Sequence, residues 1–95
     1  MKNNPANNLR KILKEKKIHI MPCCYDPLSA KMIEQAKFNL SFMSGFATAA
    51  ARLGMPDTGL ISYGEIIDQG RNICDSVKIP IIGDGDTGYG NAINV

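Results

Sequence analysis

The chain has 95 residues, and its 11 Lys and Arg residues against 9 Asp and Glu residues give a formal net charge of +2. This balance gives no reason to expect a nucleic acid or an acidic membrane surface as a partner. A hydrophobic content of 44% is ordinary for a globular domain and argues against wholesale disorder.

Neither a membrane anchor nor a secretion signal is expected. No apolar stretch approaches the ~18 residues of a membrane span, and the segment Met1–Pro5 lacks the apolar core of a signal peptide. The three cysteines are odd in number and have no paired spacing, which fits a reducing compartment. We therefore expect a cytoplasmic protein with buried structural thiols at Cys23, Cys24 and Cys74.

The chain begins with a helix signal. Asn4 can cap a helix, Pro5 suits its first position, and apolar residues then recur at helical spacing. A helix is therefore predicted over residues 4–17. The apolar run that follows, residues 18–24, predicts a short buried strand.

The same cycle of helix and strand signals then recurs. Asp26 followed by Pro27 predicts the start of a second helix. Residues 40–43 predict a second strand, which ends at Ser44 and Gly45.

The second half of the chain adds two helices and a strand. Small residues at 47–51 predict a short helix, and the Gly and Pro content of residues 53–59 predicts a loop. Ser62 and Glu65 form a capping box before a helix with an apolar face. Residues 79–82 predict the third strand.

The alternation of strands and helices implies parallel strands joined by right-handed crossovers, and hence an α/β fold. Three parallel strands do not close a core, since parallel sheets need cover on both faces. We therefore interpret residues 1–95 as one partial domain, with an N-terminal helix (4–17) followed by βα units (18–95). The third strand is expected to expose an unpaired edge that favours association.

Asp84 and Asp86 follow this third strand within a glycine-rich segment. Side chains two positions apart on a strand point the same way, so both carboxylates should project together. Two close carboxylates repel unless a proton or a cation separates them, and Mg²⁺ takes one or two carboxylates plus water and substrate. The pattern predicts a metal-assisted site. The alternative is a solvated turn whose carboxylates accept backbone N–H groups.

Two other interpretations of the glycine-rich segment fail. Gly83, Gly85 and Gly88 match the spacing of a dinucleotide-binding loop, but the carboxylates between them would repel a pyrophosphate. An EF-hand loop counted from Asp84 would place Tyr89 where glycine is required.

Other polar positions carry candidate chemistry. Ser44 and Gly45 could present a hydroxyl and backbone N–H groups to a carboxylate, or simply end a strand. Asp57 could be delivered to a site by a mobile loop, or serve as a turn acid. Tyr25 could pack against the fold or place its hydroxyl at the mouth of a pocket.

Four segments occur in an order and at a spacing typical of one family. They are Tyr25-Asp26-Pro27-Leu28-Ser29-Ala30, Met43-Ser44-Gly45, Leu53-Gly54-Met55-Pro56-Asp57-Thr58-Gly59 and Gly83–Val95. Together they resemble the isocitrate lyase / phosphoenolpyruvate mutase superfamily, nearest to its carboxyphosphonoenolpyruvate phosphonomutase-like and methylisocitrate lyase-like branch.

The resemblance implies a TIM (α/β)8 barrel, often tetrameric, of which this chain is the N-terminal part with about three βα units. It implies that Asp84 is a Mg²⁺ ligand, that Asp86 holds the ion through water, and that Asp57 is a catalytic residue on a loop that gates the site. The substrate-binding residues that it implies are Tyr25, Ser44, Gly45 and Asp84.

The sequence departs from the family pattern at several positions. Phe46 stands where relatives often carry a small residue, and Gly83 and Gly85 replace bulkier residues beside the paired acids. The general acid or base and the remaining βα units are expected beyond Val95.

The activity implied by the resemblance is a Mg²⁺-dependent lyase that cleaves a C–C bond of a small 2-oxo or 2-hydroxy carboxylic acid through a metal-stabilised enolate. Phosphonomutase chemistry at a P–C bond in the same pocket is one alternative. An inactive truncated fragment without turnover is another. The expected partners are the carboxylic-acid substrate and further copies of the full-length barrel.

Overall fold

The computed structural model describes residues 4–95, so the part of the expected domain that precedes Asn4 lies outside it. The elements in chain order are α1 (Pro5–Lys14), β1 (Cys23–Cys24), α2 (Pro27–Gln35), β2 (Ser41–Met43), α3 (Gly45–Leu53), α4 (Tyr63–Ser76) and β3 (Ile81–Gly83). Within residues 4–95, none of the helices has the length and apolar character needed to cross a membrane.

The strands form one sheet in the order β1-β2-β3, and both neighbouring pairs run parallel. Cys24 lies opposite Met43, and Met43 lies opposite Gly83, so the three strands end at the same level. The predicted α/β fold with three parallel strands is confirmed. Because β2 is central, β1 and β3 are the edges of the sheet in the described part of the chain.

Capping residues start α1, α2 and α4 where the sequence predicts them. The Asn4 side chain accepts the backbone N–H of Asn7 at the start of α1. Asp26 caps α2, and Ser62 caps α4 in a reciprocal pair with Glu65. Each cap satisfies an N–H group that the first helical turn leaves without a partner.

The predicted helix over residues 4–17 is too long at its end. Helix α1 ends at Lys14, and Glu15 already has an extended backbone with φ −70° and ψ 138°. The apolar stripe stops at Leu13, so another turn would bury no apolar surface, and helices this short depend on such burial.

Helix α3 and strand β3 also differ from their predicted bounds. Helix α3 is longer than the predicted 47–51, because Ser44 caps it and Gly54, in the left-handed region at φ 63°, ends it. Strand β3 begins at Ile81 rather than at residue 79, since the N–H groups of residues 78 and 79 both donate to the carboxylate of Glu34.

The predicted strand over residues 18–24 is wrong except for its last two residues, which form β1. Ile18 and Ile20 are 94% and 71% exposed. Pro22 joins the ladder only through its carbonyl, which accepts the N–H of Phe42, because it has no N–H of its own to donate. Since β2 has only three residues, it offers nothing with which the earlier segment can pair.

Helices α2 and α4 pack on each other and cover one face of the sheet. The buried core between these layers is formed by Cys24, Ala30, Met43, Ile61, Ile66 and Ile73. Side chains alternate across a strand, so Cys23, Phe42 and Ile82 lie on the opposite face, where Cys23 is exposed and the other two are half-buried.

The cysteine prediction is correct for only one of the three residues. Cys24 is fully buried, but Cys23 and Cys74 are exposed, and all three thiols are free. Cys23 lies on the face of the sheet away from the helices. Cys74 lies beside the buried Ile73 on a flank of α4 that borders a cavity.

Candidate active site

The carboxyl ends of the three strands are hydrogen-bonded to one another. The N–H of Ser44 donates to the carbonyl of Cys24 over 3.1 Å, and the N–H of Asp84 donates to the carbonyl of Met43 over 3.2 Å. These bonds place the first residue after each strand beside the end of its neighbour. The predicted substrate-binding residues all lie at this edge of the sheet: Tyr25, Ser44, Gly45 and Asp84.

The carboxylate of Asp84 is fixed at both oxygens. Oδ2 accepts the backbone N–H of Gly45 over 3.0 Å, and Oδ1 accepts the backbone N–H of Asp86 over 2.8 Å. Gly45 is the first residue of α3, a helix of nine residues, so the half-buried carboxylate lies at the positive end of the helix dipole. Each oxygen keeps lone-pair capacity for a further donor or a cation.

Gly45 leaves the space that this carboxylate occupies. A Cβ atom on Gly45 would lie 2.5 Å from Asp84 Oδ2 and 3.1 Å from Asp84 Cγ. Gly45 is itself buried, so the backbone has little room to move away. The position of the Asp84 carboxylate therefore depends on the absence of a side chain at residue 45 as well as on the hydrogen bond.

Asp86 reaches the site through a turn rather than along a strand. Strand β3 ends at Gly83, and Asp86 has a positive φ of 47° in a turn closed by the N–H of Gly88 on the carbonyl of Gly85. Strand alternation therefore does not set the direction of its side chain, which is exposed. Asp86 is held beside Asp84 by the hydrogen bond from its backbone N–H to Asp84 Oδ1. The role of Asp86 as a metal ligand stays a prediction.

Tyr89 is a member of this site that the sequence analysis did not select. Its ring packs against the core and lies 6.1 Å from the ring of Tyr63, tilted by 60°. The pKa of its phenol is raised mainly by burial, and the nearby charges of Asp86, Asp84 and Asp57 raise it further. The only signal in the sequence is a single aromatic side chain among glycines.

Asp57 is exposed on the loop of residues 54–62 between α3 and α4, which we call the α3–α4 loop. Its charge acts on the same phenol, that of Tyr89, as do the charges of Asp84 and Asp86. The structure thus brings Asp57 to the side of the molecule that carries the glycine-rich segment. Its predicted catalytic role remains a prediction.

Ser44 and Tyr25 present their groups at the neighbouring strand ends. The Ser44 hydroxyl accepts the N–H of Ala47 over 3.2 Å as the cap of α3, which leaves its own O–H free to donate. The backbone of Tyr25 is held by Ser29 Oγ at its N–H and by Gln69 at its carbonyl, and the residue is 40% exposed.

The donor set supplied by residues 4–95 fits part of a magnesium site. Within that range no group of three or more His, Cys, Asp or Glu side chains is placed to hold a metal ion. Mg²⁺, however, usually takes only one or two carboxylates from a protein and completes its shell with water and substrate oxygens. Asp84, fixed in place with lone pairs remaining, and Asp86 beside it fit that requirement.

Known proteins share both the sequence and the fold. The profile of the phosphoenolpyruvate phosphomutase family matches residues 9–95. The chain is 45% identical over 86 residues to carboxyvinyl-carboxyphosphonate phosphorylmutase, chloroplastic, of Arabidopsis thaliana, which covers 90% of this chain and 25% of that protein. It is 37% identical over 92 residues to 2,3-dimethylmalate lyase of Eubacterium barkeri, which covers 97% of this chain and 32% of that protein.

A solved structure of phosphonopyruvate hydrolase in complex with oxalate and Mg²⁺ has a TM-score of 0.85 and 36% identity to this chain, over 93% of this chain and 31% of its own. The chain therefore spans between 25% and 32% of the length of these three proteins. Since the profile match covers nearly the whole sequence, the chain belongs to the phosphoenolpyruvate phosphomutase family, within the isocitrate lyase / phosphoenolpyruvate mutase superfamily that its motifs resemble.

Proposed function

We propose that this chain carries the metal- and carboxylate-binding part of a Mg²⁺-dependent lyase that cleaves a C–C bond of a small 2-oxo or 2-hydroxy carboxylic acid. The observation that carries the proposal is the Asp84 carboxylate, held at both oxygens by backbone N–H groups where β2, α3 and β3 meet. A relative with 37% identity is a 2,3-dimethylmalate lyase. A similar structure with 36% identity binds oxalate and Mg²⁺.

Asp84 and Asp86 are the residues that would hold the ion, Asp84 directly and Asp86 through water. When bound, Mg²⁺ would supply Lewis-acid stabilisation of the negative charge that develops as the bond beside the carboxylated carbon breaks. Asp84 needs no reorganisation for this task, because two backbone N–H groups already set its orientation.

The substrate would lie against the first turn of α3. Ser44 keeps an O–H that can donate to a substrate carboxylate, and the positive end of the helix dipole favours an anion there. Gly45 would contribute to the site mainly by leaving room for the Asp84 carboxylate, because it has no side chain there. Its N–H is already donated to Asp84. Tyr25 would line the same pocket from the end of β1, and Asp57 would approach it from the α3–α4 loop.

We propose that these residues act within a complete barrel that assembles as a tetramer in the cytoplasm. The sheet has two edge strands, and a cavity of about 500 Å³ lies between α4, β3 and the glycine-rich segment, with a mostly apolar lining. Its lining includes Tyr63 and Ile67, exposed apolar side chains of the kind that a further βα unit would cover. The three free cysteines agree with a reducing compartment.

A second candidate function is phosphonomutase chemistry at a P–C bond in the same pocket. The 45% identity to a carboxyvinyl-carboxyphosphonate phosphorylmutase favours it. Both reactions would use the same anchored carboxylate, so the site geometry supports each of them. A polypeptide of 95 residues that binds ligand without turnover is the third outcome that the experiment below distinguishes.

The experiment combines ligand binding with turnover. Titration of the protein with oxalate in the presence of Mg²⁺, followed by calorimetry, should give heat for the wild type and none for Asp84→Asn. The matched control is Asp75→Asn, an equal change of charge at an exposed position near the end of α4. Absence of heat for the wild type at millimolar ligand, or unchanged heat for Asp84→Asn, would contradict the proposal.

Turnover then separates the reactions. The protein is incubated with a panel of 2-hydroxy acids, 2-oxo acids and phosphonates, and the products are identified by NMR. Release of a pyruvate- or glyoxylate-like product supports the lyase, and a change at phosphorus supports the mutase. Binding without any product supports the inactive chain.

A further inference from the structure

Arg52, in the last turn of α3, closes the base of the α3–α4 loop. Its Nη1 donates to Asp68 Oδ2 over 3.1 Å and to Gln69 Oε1 over 2.8 Å, and its Nε lies 3.8 Å from Glu65 Oε2. The loop leaves α3 just after Arg52 and enters α4 just before Glu65. These contacts therefore tie together the two ends of the segment that carries the predicted catalytic acid.

Gln69 extends this contact to Tyr25, the first residue after β1. Its Nε2 donates to the carbonyl of Tyr25 over 2.8 Å, between residues 44 positions apart in the sequence. The N–H of Tyr25 donates to Ser29 Oγ over 3.0 Å. Both backbone polar groups of Tyr25 are therefore held, the N–H by Ser29 in the first turn of α2 and the carbonyl by Gln69.

We propose that Arg52 and Gln69 are positioning residues that hold the backbone of Tyr25 in a fixed relation to the α3–α4 loop. The amide of Gln69 uses both ends, accepting from Arg52 at oxygen and donating to Tyr25 at nitrogen. A charged donor on the oxygen polarises the amide and strengthens the bond that its N–H group makes. The consequence for ligand binding rests on the proposed function, in which Tyr25 lines the substrate pocket.

The Gln69–Tyr25 bond, rather than the ion pairs around Arg52, is the contact that reaches Tyr25. The side chains of Arg52 and Asp68 are 30% and 52% exposed, and ion pairs with that exposure contribute little to stability. Gln69 is half-buried, and its bond joins α4 to the end of β1. Loss of this bond should therefore alter the pocket while leaving most of the stability unchanged.

Gln69→Glu tests the bond selectively. The carboxylate keeps an acceptor for Arg52 but removes the N–H donor, and it places an oxygen against the Tyr25 carbonyl. The matched control is Gln35→Glu, the same change at an exposed position at the end of α2. The readout without ligand is the ¹⁵N amide resonance of Asp26, whose peptide group contains the Tyr25 carbonyl.

Gln69→Glu should shift the Asp26 resonance, and Gln35→Glu should not. Arg52→Met should shift the Asp26 resonance in the same direction by a smaller amount. Among the hydrogen bonds described, Arg52 reaches Tyr25 only through Gln69. Arg52→Lys should restore part of the difference. An Asp26 resonance unchanged in Arg52→Met or in Gln69→Glu overturns the proposal.

The ligand readout is oxalate affinity in the presence of Mg²⁺. Gln69→Glu should weaken it by about three- to tenfold, the effect of one hydrogen bond, with the urea midpoint nearly unchanged. Wild-type affinity in Gln69→Glu, or a loss equal to that in Gln35→Glu, overturns the role in the pocket. If the wild type binds no oxalate, the proposed function fails, and the Asp26 resonance alone decides whether the coupling exists.

Discussion

The backbone N–H of Gly45 donates to Oδ2 of Asp84 over 3.0 Å, across 39 positions of the sequence. The bond joins the first residue of α3 to the first residue after β3. Asp84 directly follows β3 and Gly45 lies two positions after the end of β2, so their relative position is set by the register of these two strands. The carboxylate proposed to bind metal is thus fixed by the sheet, whereas Asp57 depends on a loop.

A first prediction concerns the space at Gly45. Gly45→Ala would place a Cβ atom 2.5 Å from Asp84 Oδ2, so the carboxylate must leave its position or the backbone must shift. We expect a loss of stability of about 1–3 kcal/mol, as for other overpacked sites, and loss of oxalate binding in the presence of Mg²⁺. Urea denaturation and calorimetry measure the two effects.

The matched control for this substitution is Gly64→Ala. Gly64 lies in the first turn of α4, and the nearest atom to an added Cβ is Ser62 Oγ at 3.9 Å. Alanine should fit there and stabilise the helix by about 0.5–1 kcal/mol. A Gly45→Ala protein as stable as Gly64→Ala would mean that Asp84 does not pack against Gly45 as closely as described.

A second prediction concerns the capping box of α4. The pKa of Glu65 is lowered by its hydrogen bonds with the backbone and hydroxyl of Ser62, with a smaller effect of Arg52. A lowered pKa means that the ionised form stabilises the fold above the ordinary value of 4.5, and that this contribution disappears as the pH falls through the lower folded value.

The variant that isolates this charge is Glu65→Gln, because glutamine keeps the acceptor of a capping box. Its urea midpoint should be below that of the wild type at neutral pH, and the two should converge as the pH falls below 4.5. A difference that is constant across this range would mean that the charge of Glu65 does not contribute.

The sequence predicts the starts of α1, α2 and α4 because these depend on local capping chemistry, and it predicts parallel strands from the alternation of elements. Asn4, Asp26 and Ser62 cap helices through side chains three residues from the N–H groups that they accept. The alternation of elements leaves few topologies for a parallel sheet. Ser44, Gly45 and Asp84 could be placed at one edge for the same reason.

What the sequence did not decide depends on tertiary contacts or on the detailed shape of a turn. The apolar run at residues 18–24 reads as a strand, but its pairing is limited by the three residues of β2. Asp86 belongs to a turn in which the Asp84 carboxylate accepts its N–H, the alternative that the sequence left open beside the strand-end pair. Tyr89 joins the site only because its ring packs beside Tyr63, and no periodicity indicates that contact.

A third prediction uses the cysteines, which differ in exposure. Cys23 is exposed on one face of the sheet, and Cys24 is fully buried on the other. Burial raises the pKa of the Cys24 thiol, and burial together with Asp75 raises the pKa of the exposed Cys74. Because the thiolate is the reactive form, we expect Cys23 to be labelled first and Cys24 last.

Mass spectrometry after timed labelling with iodoacetamide at neutral pH gives the order directly. In denaturant the three thiols should react at similar rates, which shows that the order arises from the fold. Labelling of Cys24 as fast as Cys23 in the native protein would mean that β1 is not packed against the helices as described.

A fourth prediction concerns self-association through β3 and the adjoining cavity. Strand β3 is an edge of the sheet, and the cavity of about 500 Å³ beside it exposes apolar side chains such as Tyr63 and Ile67, which are 59% and 42% exposed. An unpaired strand edge next to an apolar surface favours pairing with another chain. Sedimentation velocity should therefore detect dimers or larger species between about 10 µM and 1 mM, where such surfaces promote association.

A charge in the cavity should reverse this association, because a lysine there would lose hydration on burial without gaining a partner. Ile67→Lys is expected to sediment as a monomer over the range in which the wild type associates. The matched control is Leu28→Lys on α2, where the native side chain is 67% exposed, and association should persist in it. A wild type that stays monomeric throughout would contradict the prediction. Association lost equally in both variants would assign it to general hydrophobicity rather than to the surface beside β3.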